Sequence, residues 1–328
     1  MDCERVLKIG TRDSKLALWQ ATTVATMLQS LGIQTNMVPV KSEGDLDLVT
    51  PLYAMGVQGV FTKTLDAFLL SGKIDIAVHS FKDVPTVLAQ GISQAAVLPR
   101  ASEKDLLVFK DPAFAAAFLK GEDKTLKGTV ATGSVRRKAQ ILEQFPELHI
   151  ENLRGNVQTR MQKLQSNQWD GAIFAAAGLE RIEERPENAA EIPWMLPAPA
   201  QGAIVVVART DDNEATQLIQ RLNNEATQMA VKVERDFLNT LMGGCSTPIS
   251  AYASIVNDTI QFSGCILSLD GRRKFSCKQS AGLDQYNTLG AQAAKKLLEQ
   301  GADKIVAEIR AAAATTATTP PFKAPPKS

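Results

Sequence analysis

Histidine is nearly missing from this chain, and cysteine is scarce. Its 328 residues include 2 histidines, His79 and His149, and 4 cysteines, Cys3, Cys245, Cys265 and Cys277. None has the close Cys/His spacing that builds a zinc centre, so no metal site is expected. A disulfide framework is not expected either, because a chain this long can build its own core. An excess of one charge sign is also lacking. Lys and Arg number 36 against 35 Asp and Glu, a formal net charge of +1, which leaves no bulk attraction for nucleic acid. No apolar run approaches a membrane span, and the charged start Met1–Arg5 does not read as a secretory signal. No Gly-x-x-x-x-Gly-Lys-Ser/Thr phosphate loop occurs, nor a strong dinucleotide fingerprint. The expectation is a cytoplasmic enzyme, taken as a monomer, with neither nucleic-acid nor membrane partners.

What is present is arginine at unusual places. In Thr132-Gly133-Ser134-Val135-Arg136-Arg137 two arginines stand where a helix begins. The apolar run Thr129–Ala131 precedes them and an amphipathic pattern follows, which reads as strand, glycine turn, Ser134 as N-cap, then helix. Basic side chains oppose the positive end of the helix dipole, so the pair implies a concentrated anion site. The planar guanidinium fork suits carboxylates. A second junction, Leu153-Arg154-Gly155-Asn156, follows the segment Leu148–Ile150, with Asn156 as cap and Arg160 about one turn into the helix. A third, Gly10-Thr11-Arg12-Asp13-Ser14, follows Val6–Ile9. In a parallel sheet such junctions share one crevice, and the implied ligand carries several carboxylates or phosphates.

The order of elements predicts α/β construction to about residue 222. Strands are expected at 4–9, 33–40, 74–79, 93–98, 105–109, 128–132, 148–152, 170–177 and 203–209. Helices are expected at 14–31, 61–71, 134–145 and 156–166, among others. Pro193, Pro197 and Pro199 suggest a rigid crossing before the strand at 203. The division expected is a discontinuous first lobe (1–100 plus 200–221), a second lobe (101–199) and a smaller α+β third domain (222–311). Residues 312–328, rich in Ala, Thr, Pro and Lys, are expected to form a disordered tail.

Two segments carry candidate chemistry. His79-Ser80-Phe81-Lys82-Asp83-Val84-Pro85 puts a cation and an anion at a strand's carboxyl end. Asp83 can stabilise a developing positive charge or move a proton, and Lys82 suits an anion. Alone, the segment is more simply a capped loop with a solvated lysine, and His79 reads as structural. Gly243-Gly244-Cys245-Ser246 places a thiol on a lightly shielded loop, a covalent anchor or nucleophile. The commoner fate of such a cysteine is to fill a small apolar gap.

Together these stretches resemble the porphobilinogen deaminase (hydroxymethylbilane synthase) family. The matching segments, in family order, are 10–20, 75–85, 132–137, 153–160, Leu-Pro-Ala-Pro-Ala-Gln-Gly-Ala (196–203) and Gly-Gly-Cys-Ser-Thr-Pro-Ile (243–249), within about 5–310. The resemblance implies two lobes like those of periplasmic binding proteins plus a third domain. It implies a transferase that condenses four porphobilinogen molecules head to tail, with loss of ammonia, into linear hydroxymethylbilane for tetrapyrrole (heme) biosynthesis. It also implies a dipyrromethane cofactor, held through a thioether that Cys245 matches. Asp83 matches the catalytic aspartate. Lys82, Ser134, Arg136 and Arg137 are implied to hold carboxylates of cofactor or substrate, and Arg12, Ser14, Gln20, Arg154, Arg160 and Gln201 to line the same cleft.

Two departures from the family pattern stand out. Gln58 and Ala54 occupy positions where many members have lysines, which removes charge from that loop. Pro199-Ala200 replaces a common Val-Gly, which predicts a stiffer hinge. The rival reading is a two-lobed solute-binding protein for a dicarboxylate or similar anion. It calls for a signal peptide and has no use for a third domain with an exposed cysteine.

Overall fold

Two sheets of the same design carry the arginine-bearing junctions. The computed structural model describes residues 5–41, 62–241 and 247–317. Its strands are β1 (Leu7–Arg12), β2 (Thr35–Val40), β3 (Ile76–Ser80), β4 (Ile92–Val97), β5 (Asp105–Phe109), β6 (Thr129–Ala131) and β7 (His149–Glu151). They continue with β8 (Gly171–Ala175), β9 (Ala189–Glu191), β10 (Ile204–Arg209), β11 (Ile249–Val256), β12 (Thr259–Leu267) and β13 (Lys274–Gly282). Helices are α1 (Lys15–Ser30), α2 (Lys63–Leu70), α3 (Pro112–Lys120), α4 (Val135–Gln144) and α5 (Val157–Ser166). Then follow α6 (Ala176–Arg181), α7 (Asn213–Gln220), α8 (Glu225–Thr240), α9 (Tyr286–Leu297) and α10 (Asp303–Ala317).

The sheet orders are β2-β1-β3-β10-β4, β7-β6-β8-β5-β9 and β11-β12-β13. Each five-stranded sheet has three adjacent parallel strands and then one that runs against them. The sheets are therefore mixed, where the sequence reading supposed them parallel. The reversed strand is in each case the one entering from the other sheet, β5 after β4 and β10 after β9. Its first residue consequently lies at the edge where the parallel strands end. Ile204 pairs with Ser80, and Asp105 with Ala175. Both crossings thus run along the edge that carries the junctions, where ligands of such sheets bind. β10 (Ile-Val-Val-Val-Ala) is buried on both faces, as an apolar central strand must be. The three-residue β9 was not anticipated, since Ala189-Ala190-Glu191 has no apolar alternation to announce it.

Helix α8 joins the parts. Val233 and Phe237 pack on the third sheet, and Val231 enters the first sheet's core with Phe81, Val84 and Val97. Between them Glu234, 0% exposed, accepts from Arg100 Nη1 (2.5 Å), Ala200 N (2.6 Å) and Ala253 N (2.8 Å). One buried carboxylate therefore ties both crossings to β11. Gly202 is where the crossings touch: it has φ +86°, and a Cβ there would lie 2.6 Å from the Ala101 carbonyl oxygen. The alanine-rich end of α10 runs to Ala317, into the segment 312–328 expected to be disordered, as the high helix propensity of alanine favours.

Ala200 has φ +62° and is fully buried. That left-handed backbone is where a glycine sits without strain, so the alanine adds local strain at the crossing. Ala200→Gly relieves about 1–2 kcal/mol of strain. It forfeits about 0.8 kcal/mol of methyl burial and about 0.5–1 kcal/mol in chain entropy. Thermal denaturation is expected to show a change within about 1 kcal/mol, and a loss beyond about 2 kcal/mol would show the methyl to be a packing element.

Candidate functional site

Local capping chemistry builds each junction. Ser14 caps α1, its side chain accepting from Ala17 N. Ser134 caps α4, accepting from Arg137 N, and Asn156 caps α5, accepting from Thr159 N. Ser14 and Ser134 thus sit at equivalent places in the two lobes, each after a central strand. A Cβ on Gly133 would lie 2.4 Å from the Leu153 carbonyl oxygen, so glycine lets the β6 and β7 junctions close together. Gln20, buried, donates to Ser80 Oγ at 2.8 Å. Ser80 ends β3 and leads into a single 3-10 turn, Phe81–Asp83. Arg12, Ser14, Gln20, His79, Ser80 and Asp83 line one pocket.

The residue that sequence reasoning missed is Asp105. It is fully buried and shared by both arginines of α4. Arg136 Nη2 donates to Asp105 Oδ2 at 2.8 Å, while Arg137 Nη2 and Nε donate to Oδ1 at 2.6 and 3.1 Å. Their remaining contacts are main-chain: Arg136 Nη1 to Leu196 O (2.7 Å) and Arg137 Nη1 to Ile173 O (2.9 Å). Burial alone would raise the Asp105 pKa, but the two guanidinium charges outweigh it and hold the carboxyl well below the usual range. The arginines expected to face a ligand are thus first committed to an internal carboxylate. Gln201 extends the network across the crossings, donating to Asp105 Oδ1 (2.9 Å) and accepting from Lys82 Nζ (3.3 Å).

Electrostatics show that the junctions converge. Burial lowers the Arg160 pKa to about 10, helped by repulsion from Arg137, Arg154 and Arg12 and opposed by Asp83. Arg160 Nε also donates to Gly155 O at 2.7 Å. Burial brings Lys82 down to about 8, with Asp83 opposing and the α4 arginines adding to the fall. Burial and then Arg12 lower His79 to about 4, so it is neutral at pH 7 and unsuited to act as a general acid. Among the named side chains six are cationic (Arg12, Lys82, Arg136, Arg137, Arg154, Arg160) and two anionic (Asp83, Asp105), leaving an excess of four positive charges. Arg136 Nε, buried, has no hydrogen-bond partner among the described residues. Such a cleft suits a ligand with several carboxylates. No group of His, Cys, Asp and Glu able to hold a metal occurs among the described residues. Cys245, Gln58 and Ala54 lie outside those residues.

Residues 7–217 match the family model described as porphobilinogen deaminase, dipyromethane cofactor binding domain, and residues 228–299 match porphobilinogen deaminase, C-terminal domain. The chain belongs to the porphobilinogen deaminase family. A porphobilinogen deaminase of Syntrophotalea carbinolica is 39% identical over 307 residues, 92% of this chain and 96% of that one. One of Desulfitobacterium hafniense is 40% identical over 308 residues, 93% and 97% of the two chains. Among solved structures, an ancestral cationic amino acid solute binding protein aligns with 66% of this chain and 87% of that one, at TM-score 0.44 and 14% identity. That likeness is too weak to add to the strand orders. As a porphobilinogen deaminase family member the chain is a transferase of tetrapyrrole biosynthesis with a dipyrromethane-binding domain.

Asp105→Asn tests the internal counterion. It leaves two buried guanidinium groups without their anion, and breaking such a pair costs about 3–5 kcal/mol. Denaturant unfolding is expected to register that loss. A change under about 1 kcal/mol would mean that other groups hold the two arginines.

Proposed function

We propose that this protein condenses four porphobilinogen molecules stepwise, releasing ammonia at each addition and linear hydroxymethylbilane at the end. The observation that carries the reading is the half-buried cleft with four excess positive charges and Asp83 within it. Each pyrrole of substrate or cofactor bears an acetate and a propionate, so a dipyrromethane brings four carboxylates to that excess. Arg136 Nε, without a hydrogen-bond partner among the described residues, and the donor set of Arg12, Lys82, Arg137, Arg154 and Arg160 fit such a group. When bound, the dipyrromethane supplies the free pyrrole end on which the chain is built.

The protein's own residues then divide the work. Arg12, Arg136, Arg137, Arg154 and Arg160 bind carboxylates and fix the register of the rings. Lys82 adds a point charge while it is protonated. Ser134 and Asn156 hold the starts of the helices that carry Arg136, Arg137 and Arg160, Ser14 caps the helix that follows Arg12, Gln20 orients Ser80, and Gln201 orients Lys82 against Asp105. Asp83 holds a negative charge toward the pyrrole nitrogens. That charge stabilises the cation formed as ammonia leaves more than it stabilises the bound substrate. Asp105, saturated by two arginines, is not available for that role. The proposal includes the three-domain division given above and a cytoplasmic monomer. A solute-binding protein of similar design is not favoured by the family assignment.

The cofactor's attachment is assigned to Cys245. The thiols of Cys265 and Cys277 are both pushed up by burial, Cys277 to about 11, and are poor nucleophiles at neutral pH. Intact mass spectrometry is expected to find the purified protein heavier than its sequence by one dipyrromethane. Cys245→Ser should remove both the increment and the activity, while changes at Cys3, Cys265 and Cys277 should remove neither. Active wild-type protein of unmodified mass would overturn the covalent assignment.

A pH dependence follows from Lys82. Its folded pKa, lowered to about 8, leaves it cationic below that pH and neutral above it. Uptake of the dipyrromethane by cofactor-free protein is expected to weaken as pH rises through about 8. Lys82→Arg should move that alkaline limb upward, since guanidinium keeps its charge. An unmoved limb would remove Lys82 from carboxylate binding.

A further inference from the structure

We propose that Arg235 is a positioning residue for Asp83. It lies on α8, a helix whose other side packs on the third sheet, and reaches across to the turn that presents Lys82 and Asp83. Its Nη1 donates to the carbonyl oxygens of Val84 (3.0 Å) and Phe81 (3.4 Å), and Nη2 to that of Pro85 (2.5 Å). The guanidinium also lies over the Phe81 ring, 4.3 Å from its centroid, a cation–π contact. The acceptors bracket the two charged residues, one before them and two after. Arg235 therefore fixes the direction of the main chain that carries the Asp83 carboxylate.

The turn needs such a holder. It is one 3-10 turn of three residues, closed by Val84 N to Phe81 O at 3.2 Å. So short a 3-10 segment has poor hydrogen-bond geometry, and the carbonyls at its end have no helical partner. A five-donor guanidinium on a 16-residue helix meets the Val84 and Pro85 oxygens, and the Phe81 oxygen that closes the turn, from one rigid base. Phe81 and Val84 are buried in the first sheet's core beside Val231 of the same helix, which fixes the distance between helix and turn. Electrostatic stabilisation by Asp83 depends on where its oxygens sit, and a misplacement of about 1 Å can cost ~100-fold in rate. Arg235 acts on that placement and touches neither substrate nor cofactor in this reading, which rests on the proposed function.

The test is a double-mutant cycle on holoenzyme. Arg235→Gln is expected to fold, to carry the cofactor mass and to melt within a few degrees of wild type. Its kcat should be ~10- to 100-fold lower, with KM changed little. Because Arg235 works through Asp83, Asp83→Asn with Arg235→Gln should be no slower than Asp83→Asn alone. Arg235→Lys, which keeps one cationic donor, should fall between wild type and Arg235→Gln. Rate losses that multiply in the double variant would overturn the proposal. So would a wild-type kcat in Arg235→Gln, or collapse of both Arg235 variants, which would assign the residue to holding the fold. Wild-type protein that makes no bilane removes the proposed function itself, whereas active wild type with unaffected Arg235 variants removes only this inference.

Discussion

The cleft depends on one shared carboxylate. Two guanidinium groups a few ångströms apart repel by about 4 kcal/mol in a partly screened protein setting. Asp105 makes the α4 pair tolerable by taking hydrogen bonds from both. It reaches that place because β5 runs against its neighbours, so its first residue lies at the carboxyl edge of β6 and β8. A fully parallel sheet would have put the start of β5 at the opposite edge. The reversal of one strand thus decides whether the arginines can be buried at all.

The same topology brings the crossings and the arginine cluster together. Both crossings run along the cleft edge, and Gln201 on the second contacts Asp105 and Lys82 on either side of it. Glu234 fastens Arg100 of the first crossing and Ala200 of the second to the third sheet. Any ligand that draws on Lys82 or the α4 arginines therefore acts on groups that also bond the crossings. Gln201 and Arg136 therefore serve the crossings and the arginine cluster at once.

Much of this was legible in the sequence, and what was not has a common cause. Ser14, Ser134 and Asn156 could be read as caps because a cap and its helix are neighbours in the chain. The arginines were visible because they break a local rule, standing at helix starts where cations are disfavoured. Asp105 breaks none. Before Leu106–Phe109 it looks like the polar edge of an apolar strand, and its partners lie 31 and 32 residues away. Arg235 was hidden the same way, as one more charge on a helix with Lys232, Glu234 and Asp236, while its acceptors lie 150–154 residues earlier. Long-range pairings leave no periodic trace. The segments holding Gln58 and Cys245 fall outside the described residues.

The placement of the α4 arginines shows how stability and function are traded. Each cation near the positive end of the helix dipole costs about 0.3–1 kcal/mol, and burial costs several more unless it is matched. Ser134 and Asp105 offset part of this, yet the named cleft residues still carry four charges too many, and Arg136 Nε has no partner among the described residues. A fold selected for stability alone would replace such groups with apolar ones of equal size at little loss. Retaining them is favourable only if an anion completes the set. On the proposed reading a dipyrromethane does so permanently, and its carboxylates contribute to holding the cleft together. Asp105, already hydrogen-bonded by both arginines, has little field left for a cation forming nearby, which leaves that part to Asp83.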